Sequence, residues 1–210
     1  MAVERWRWGD PVEIPRRCVE RGGLLAIPTE SSYGLGVDPR NREAVDGLFA
    51  LKNRPANKAL PVVAASMEQL EILGIEWRDS PLRPLLDLWP APLSILLPLR
   101  RPLPATAMEP TVAVRIPEHP RLRSLLLQLG TPLTATSANL SSEAPILEPD
   151  EVANMLVGTD SLIVDDGPLA GGLPSTIVGW AEGAAVVIRS GRFPSARIAS
   201  VMAKAERGEG

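Results

Sequence analysis

The sequence predicts an α/β fold with a mainly open sheet and flanking helices. Two observations carry this. Short apolar runs, such as Leu24–Ile27, Leu60–Ala64, Ser94–Leu97, Leu133–Thr136 and Ala184–Ile188, recur between longer runs with helical spacing. Polar or cationic residues stand at or beside the ends of the strand-like runs, at 29–36, 52–58, 111–115, 137–139, 175–176 and 189. One shared cleft fed by many strand ends is the economical arrangement for such a pattern.

The elements follow in order. Pro11 to Arg21 reads as an amphipathic helix stopped by Gly22-Gly23, with Cys18 as a packed small hydrophobe. Leu24 to Ile27 is a buried strand that runs into Pro28–Gly36, where two glycines let the backbone approach a ligand and hydroxyls suit a carboxylate or phosphate. An ordinary strand-to-helix turn is the plainer reading, with Asn41 capping a helix from Arg42. Ala44, Val45, Leu48, Phe49 and Leu51 keep helical spacing, and Pro55 disfavours helical geometry at Arg54, so that helix ends close to Lys52. Lys52, Arg54 and Lys58 then share one loop, with Lys52 and Arg54 expected to be at least partly exposed. Arg grips phosphate or carboxylate through two donors and Lys adds a compact charge. A solvated loop at a helix C-terminus would carry the same residues.

Leu60 to Ala64 is a short strand, and Ser66 with Gln69 forms a capping box for a helix through Leu73. Ser80-Pro81 opens another helix that Trp89-Pro90 ends. Ser94 to Leu97 and Thr111 to Ile116 are strands. Alternation in the second puts Thr111, Ala113 and Arg115 on one face, either a site wall or a solvent-facing side. His119 precedes Pro120 and a helix to Leu129. Leu133 to Thr136 is a strand that empties into Ser137-Ala138-Asn139, where Ser137 and Asn139 point to the same side, facing a ligand or making an Asx or Ser turn. After a helix from Pro149 to Leu156, the strand Ser161–Val164 ends in Asp165-Asp166-Gly167, which reads as a turn more readily than as a Mg²⁺ site. Gly171 to Val178 is a glycine loop entering a strand, Ala184 to Ile188 leads to Arg189-Ser190-Gly191, and Ala196 to Glu206 is a closing amphipathic helix.

Composition narrows the function. The 210 residues are expected to form one domain with a core of roughly 11–205, and 22 prolines imply stiff connections. A net charge of −3 and a pI near 5.4 argue against a general nucleic-acid binder. One cysteine excludes an internal disulfide framework and a Cys-rich zinc site, and a single loop histidine argues against a Ser-His-Asp triad. No G-x-x-x-x-G-K-[ST] or G-x-G-x-x-G stretch occurs. No apolar run reaches membrane length and the first residues lack a signal-peptide core, so a cytoplasmic protein without membrane contact is expected. Trp6 and Trp8 alternate with Arg5 and Arg7, a pattern that could stack on bases but more commonly covers a domain's flank.

With these pieces placed, the chain resembles the YrdC-like family, the threonylcarbamoyl-adenylate synthases. The P-T-E-[TS]-x-Y-G-L-G stretch stands as Pro28 to Gly36, and the K-x-R and S-x-N signatures as Lys52-Asn53-Arg54 and Ser137-Ala138-Asn139. W-P-[GA]-P-[LV]-[TS] reads Trp89 to Ser94, and V-A-V-R-x-P reads Val112 to Pro117. Gly171 to Val178 and Arg189-Ser190-Gly191 complete the series, which covers roughly residues 20–191. Ser142 stands where the family often has glycine, and the Trp/Arg segment has no counterpart.

The resemblance implies an open twisted mixed sheet with flanking helices around a concave basic cleft, in the single-domain form. It implies a reaction joining L-threonine, bicarbonate and ATP with Mg²⁺, giving threonylcarbamoyl-AMP and pyrophosphate. Downstream proteins would then transfer the group to the adenosine beside the anticodon of tRNAs, with only weak tRNA contact by this chain. Lys52 and Arg54 would be catalytic and, with Lys58, handle the triphosphate and carboxylate region. Ser31, Arg115 and Ser175 would hold threonine, and Thr111, Ala135, Ser137, Asn139 and Arg189 would line the nucleotide side. A nucleotide- or RNA-binding module that keeps the cleft without synthesis is the alternative, although such a module should have lost part of the K-x-R and S-x-N set.

Overall fold

The computed structural model describes residues 3–55, 57–141 and 143–208. In chain order its strands are β1 (Glu4–Arg7), β2 (Leu24–Pro28), β3 (Tyr33–Gly36), β4 (Val62–Val63), β5 (Leu93–Pro98), β6 (Thr111–Arg115), β7 (Leu133–Thr134), β8 (Thr136–Ser137), β9 (Ser161–Asp165), β10 (Thr176–Ala181) and β11 (Ala184–Arg189). Its helices are α1 (Glu13–Glu20), α2 (Arg42–Leu51), α3 (Met67–Ile72), α4 (Pro120–Leu129), α5 (Pro149–Met155) and α6 (Ser195–Glu206).

The mixed α/β class and the flanking helices stand as expected, but the strands divide between two mixed sheets. One runs β1-β9-β2-β3-β8 and the other β11-β10-β5-β6-β4-β7. In the first, β2 is buried along its whole length because helices cover both faces. Leu24 and Ala26 join a cluster with α2 and α5, whereas Leu25 and Ile27 join one with α1 and α4. The second sheet packs one face on α3, α6 and a 3-10 turn over Arg83–Leu88, through Leu93, Ile95, Leu97, Val112 and Val114. The alternate residues, Ser94 and Arg115 among them, face the other way.

The expected strand Leu133–Thr136 is broken at Ala135, and this break joins the sheets. β7 pairs antiparallel with β4 in the six-stranded sheet, and β8 pairs antiparallel with β3 in the five-stranded one. Thr134 secures the crossing: its hydroxyl accepts the Val37 N–H at 3.0 Å and donates to the Leu35 carbonyl at 3.3 Å.

Other expectations hold or shift for physical reasons. Asn41 caps α2 by accepting the Ala44 N–H, and α2 ends at Leu51 beside Lys52. Ser66 makes no side-chain cap to α3; Gln69 instead accepts the Ala65 N–H and donates to the Leu126 carbonyl, tying α3 to α4. The helix expected after Ser80-Pro81 is the 3-10 turn, and Pro84 at its start is compatible with that tighter geometry. Trp6 is buried on the edge strand β1 with Trp8 set edge-on against it, so the pair covers a flank. Cys18 is buried, as its helix position implied. Asp165-Asp166-Gly167 is a turn in which Asp165 accepts the Gly167 N–H, while Asp166 pairs with Arg121 and Trp8. Among the described residues no helix is long and apolar enough to cross a membrane.

Thr134→Val is expected to leave the buried Val37 N–H without its acceptor and to lower unfolding free energy by about 1–3 kcal/mol. A urea titration of the variant beside the wild type checks this.

Candidate active site

A cavity of about 320 Å³ lies between the two sheets, near the lower bound of ordinary ligand pockets. The five-stranded sheet contributes Thr29, Ser31 and Ser32 from the β2–β3 turn and Gly34 from β3, with Thr136 and Ser137 from β8. The six-stranded sheet contributes Val62, Val63, Ser94, Arg115 and Arg189, and the loop entering β10 contributes Ser175. Arg54 reaches in from the loop after α2, and Ala135 stands at the crossing between the sheets. Of the residues singled out in the sequence, Ser31, Arg54, Arg115, Ala135, Ser137, Ser175 and Arg189 therefore meet at one place.

Each arginine is held differently. Arg54 bends back on its own loop, donating to the carbonyls of Ala59 at 3.1 Å and Lys58 at 3.4 Å. Arg189 donates to the Ser175 carbonyl at 2.8 Å and hydroxyl at 3.2 Å, and the Ser175 hydroxyl lies 3.0 Å from that of Ser94. Gly191 keeps this arrangement closed, since a Cβ there would stand 2.2 Å from the Pro174 carbonyl oxygen. Arg115 pairs with Glu30. Burial and then the like charge of Arg115 hold the Arg189 guanidinium below its ordinary value. No carboxylate is among the described residues lining the cavity; behind the wall, Glu30 offsets the charge of Arg115 alone.

Lys52 corrects the expectation of a loop cation open to ligand. It is only 2% exposed and does not line the cavity. Its ammonium donates to the carbonyls of Ser137 at 2.5 Å and Asn139 at 2.7 Å and to Asn139 Oδ1 at 2.9 Å. Three donors are all an ammonium has, so none is left for a substrate. Its own carbonyl accepts the Ser141 N–H and hydroxyl, which fastens the same segment twice over. Burial first, then Arg54, pushes Lys52 down to about 8, which leaves it mainly charged at neutral pH.

Asn139 is likewise turned inward. Its Oδ1 accepts from Ser137 at 2.6 Å as well as from Lys52, and its Nδ2 donates to the Glu143 carbonyl. Lys58 is exposed and lies outside the cavity. Thr111 shares the Arg115 face of β6 but stands four residues away, about 13 Å along the strand, beyond the cavity's end. Ser142 lies outside the described residues.

The Sua5/YciO/YrdC family model, described as telomere recombination, matches residues 17–191. The chain belongs to the Sua5/YciO/YrdC family. A threonylcarbamoyl-AMP synthase of Pyrococcus abyssi is 33% identical over 202 residues, 95% of this chain and 58% of the relative. One of Bacillus subtilis is 34% identical over 183 residues, 85% of this chain and 53% of the relative. The chain thus spans a little over half the length of these two relatives. One of Idiomarina loihiensis is 36% identical over 164 residues and is matched over 86% of its length. The structure of P. abyssi Sua5 complexed with L-threonine has a TM-score of 0.83 at 32% identity, covering 96% of this chain and 61% of that one.

In this family member Thr29 and Ser32, within the polar 29–36 stretch, also line the cavity, as do Ser94 and Thr136, which the sequence reading did not single out. For Ser94 a signal was present. Leu93, Ile95 and Leu97 alternate with it, so a core beneath those three turns Ser94 to the opposite face.

Lys52→Met is expected to lose at least about 2 kcal/mol of stability, because three inward-facing acceptors lose the ammonium that joins them. Arg54→Ala, on a half-exposed loop, should stay within about 0.5 kcal/mol of wild type. Chemical denaturation of the two variants side by side checks the contrast.

Proposed function

We propose that this Sua5/YciO/YrdC family member synthesises L-threonylcarbamoyladenylate from L-threonine, bicarbonate and ATP, releasing pyrophosphate. The observation that carries the reading is the convergence of Arg54, Arg115 and Arg189 on one hydroxyl-lined cavity without a lining carboxylate among the described residues. Such a basic cleft suits anionic substrates that repel one another until fixed cations hold them together. Relatives named threonylcarbamoyl-AMP synthase, and a solved relative holding L-threonine, support the choice of substrates.

The chemistry needs no protein nucleophile. The threonine amine takes up bicarbonate with loss of water to give a carbamate. A carbamate oxygen then bonds to the α-phosphorus of ATP while the bond to the bridging oxygen breaks and pyrophosphate leaves. Arg115 takes the threonine carboxylate, with Ser31 and Ser175 beside it, and Arg54 and Arg189 take the phosphate side. Ser137 donates its hydroxyl proton to Asn139, so toward a ligand it can only accept, which suits an N–H or O–H of the nucleotide. Lys52 and Asn139 act by shaping this wall.

Magnesium prefers carboxylate, phosphate and water oxygens. Among the described residues no group of three His, Cys, Asp or Glu is placed to hold a metal, so Mg²⁺ would enter with the ATP phosphates. The adenylate would pass in the cytoplasm to proteins that transfer the threonylcarbamoyl group to tRNA, with tRNA touching this chain weakly at most.

Incubation with ATP, L-threonine and bicarbonate is expected to yield pyrophosphate and the labile adenylate, detected by mass, with no tRNA present. Arg54→Ala is expected to slow pyrophosphate release on the order of 10²-fold, as loss of a positioned charge does. An undiminished rate in that variant, or strict dependence on tRNA, would refute the reading.

A further inference from the structure

Glu30 stands immediately before Ser31 in the β2–β3 turn, yet it does not line the cavity. Its side chain is 7% exposed, and both carboxylate oxygens are engaged inside the protein. Oε1 accepts the Glu118 N–H at 2.7 Å, and Oε2 accepts Nη1 of Arg115 at 2.7 Å. Arg115 ends β6, so the pair bridges the two sheets at the cavity wall. Burial alone would raise the Glu30 carboxyl, but the Arg115 charge and the hydrogen bonds around it hold it below its ordinary 4.5.

A guanidinium carries five N–H donors, and among the described residues only Nη1 of Arg115 has a hydrogen-bond partner. The remaining donors suffice for a two-point grip on a carboxylate in the cavity that Arg115 lines. Left alone, this long side chain would be repelled by Arg189, which feels its charge. The Glu30 carboxylate counters that repulsion and holds the planar fork in one orientation before substrate arrives.

We propose that Glu30 is the positioning residue of the amino-acid subsite, aiming the unbonded N–H groups of Arg115 at the substrate carboxylate without touching it. This deepens the proposed function and rests on it. The pairing sets direction more than net charge, so it bears on a carboxylate gripped at two points far more than on a polyphosphate held by Arg54 and Arg189.

Glu30→Gln tests this, because it keeps the side chain's size and an acceptor for the Glu118 N–H while removing the charge. The KM values for threonine and ATP come from pyrophosphate release, and threonine binding comes from calorimetry. Threonine KM and Kd are expected to rise about ten-fold, the scale of one charge-assisted hydrogen bond, with ATP KM within about two-fold of wild type. Glu30→Asp, which keeps the charge on a shorter stem, should show a smaller shift of the same kind and serves if Glu30→Gln does not fold. In an Arg115→Gln background, Glu30→Gln should add nothing, because it acts through Arg115. Equal rises for both substrates, unchanged threonine binding, or additive losses in the double variant overturn the proposal. A wild-type chain that neither binds threonine nor releases pyrophosphate overturns the functional reading, and this proposal with it.

Discussion

A buried ammonium must have acceptors, and in this protein the need is met at one junction. Lys52 sits at the end of α2 with its three donors committed to Ser137 and Asn139, and its carbonyl receives Ser141. Bringing that charge out of water without these partners would cost several kcal/mol. The segment leaving β8 is thereby fixed to the end of α2 just after the chain has crossed from one sheet to the other at Ala135. The cavity is the space this crossing opens, and the clamp sets the position of one wall.

The other walls are held by pairings that each restrain one guanidinium. Backbone carbonyls take Arg54, the Ser175 carbonyl and hydroxyl take Arg189, and the Glu30 carboxylate takes Arg115. Arg115 and Arg189 repel, Glu30 offsets part of that, and on the proposed reading the substrates supply further opposite charge. The restraints matter because a cation that can swing away stabilises little; positioned donors stabilise developing charge without reorganisation.

The sequence made much of this legible, and its failures have a common physical origin. Helix limits were readable at Asn41 and Pro55 because capping and steric clash act within a few residues. Strand ends were readable from apolar runs that stop at polar residues. What could not be read was direction. The Lys52-Asn53-Arg54 spacing does not reveal that Lys52 faces inward to carbonyls while Arg54 reaches the cavity, since the partners of Lys52 lie more than 80 residues away in sequence. The split at Ala135 was hidden because a short run such as Leu133–Thr136 looks the same whether one sheet holds it or two. The distance of Thr111 from the cavity was not legible either, because alternation gives the face but not the length of the pocket along it.

The central claim is that substrates bind between the sheets, touching both. Amide hydrogen exchange with and without ATP and L-threonine tests it most directly. Protection is predicted together in residues 29–36 and 135–139 on one side and 172–176 on the other. Protection confined to one sheet, or absent from all three segments while pyrophosphate is released, would contradict it.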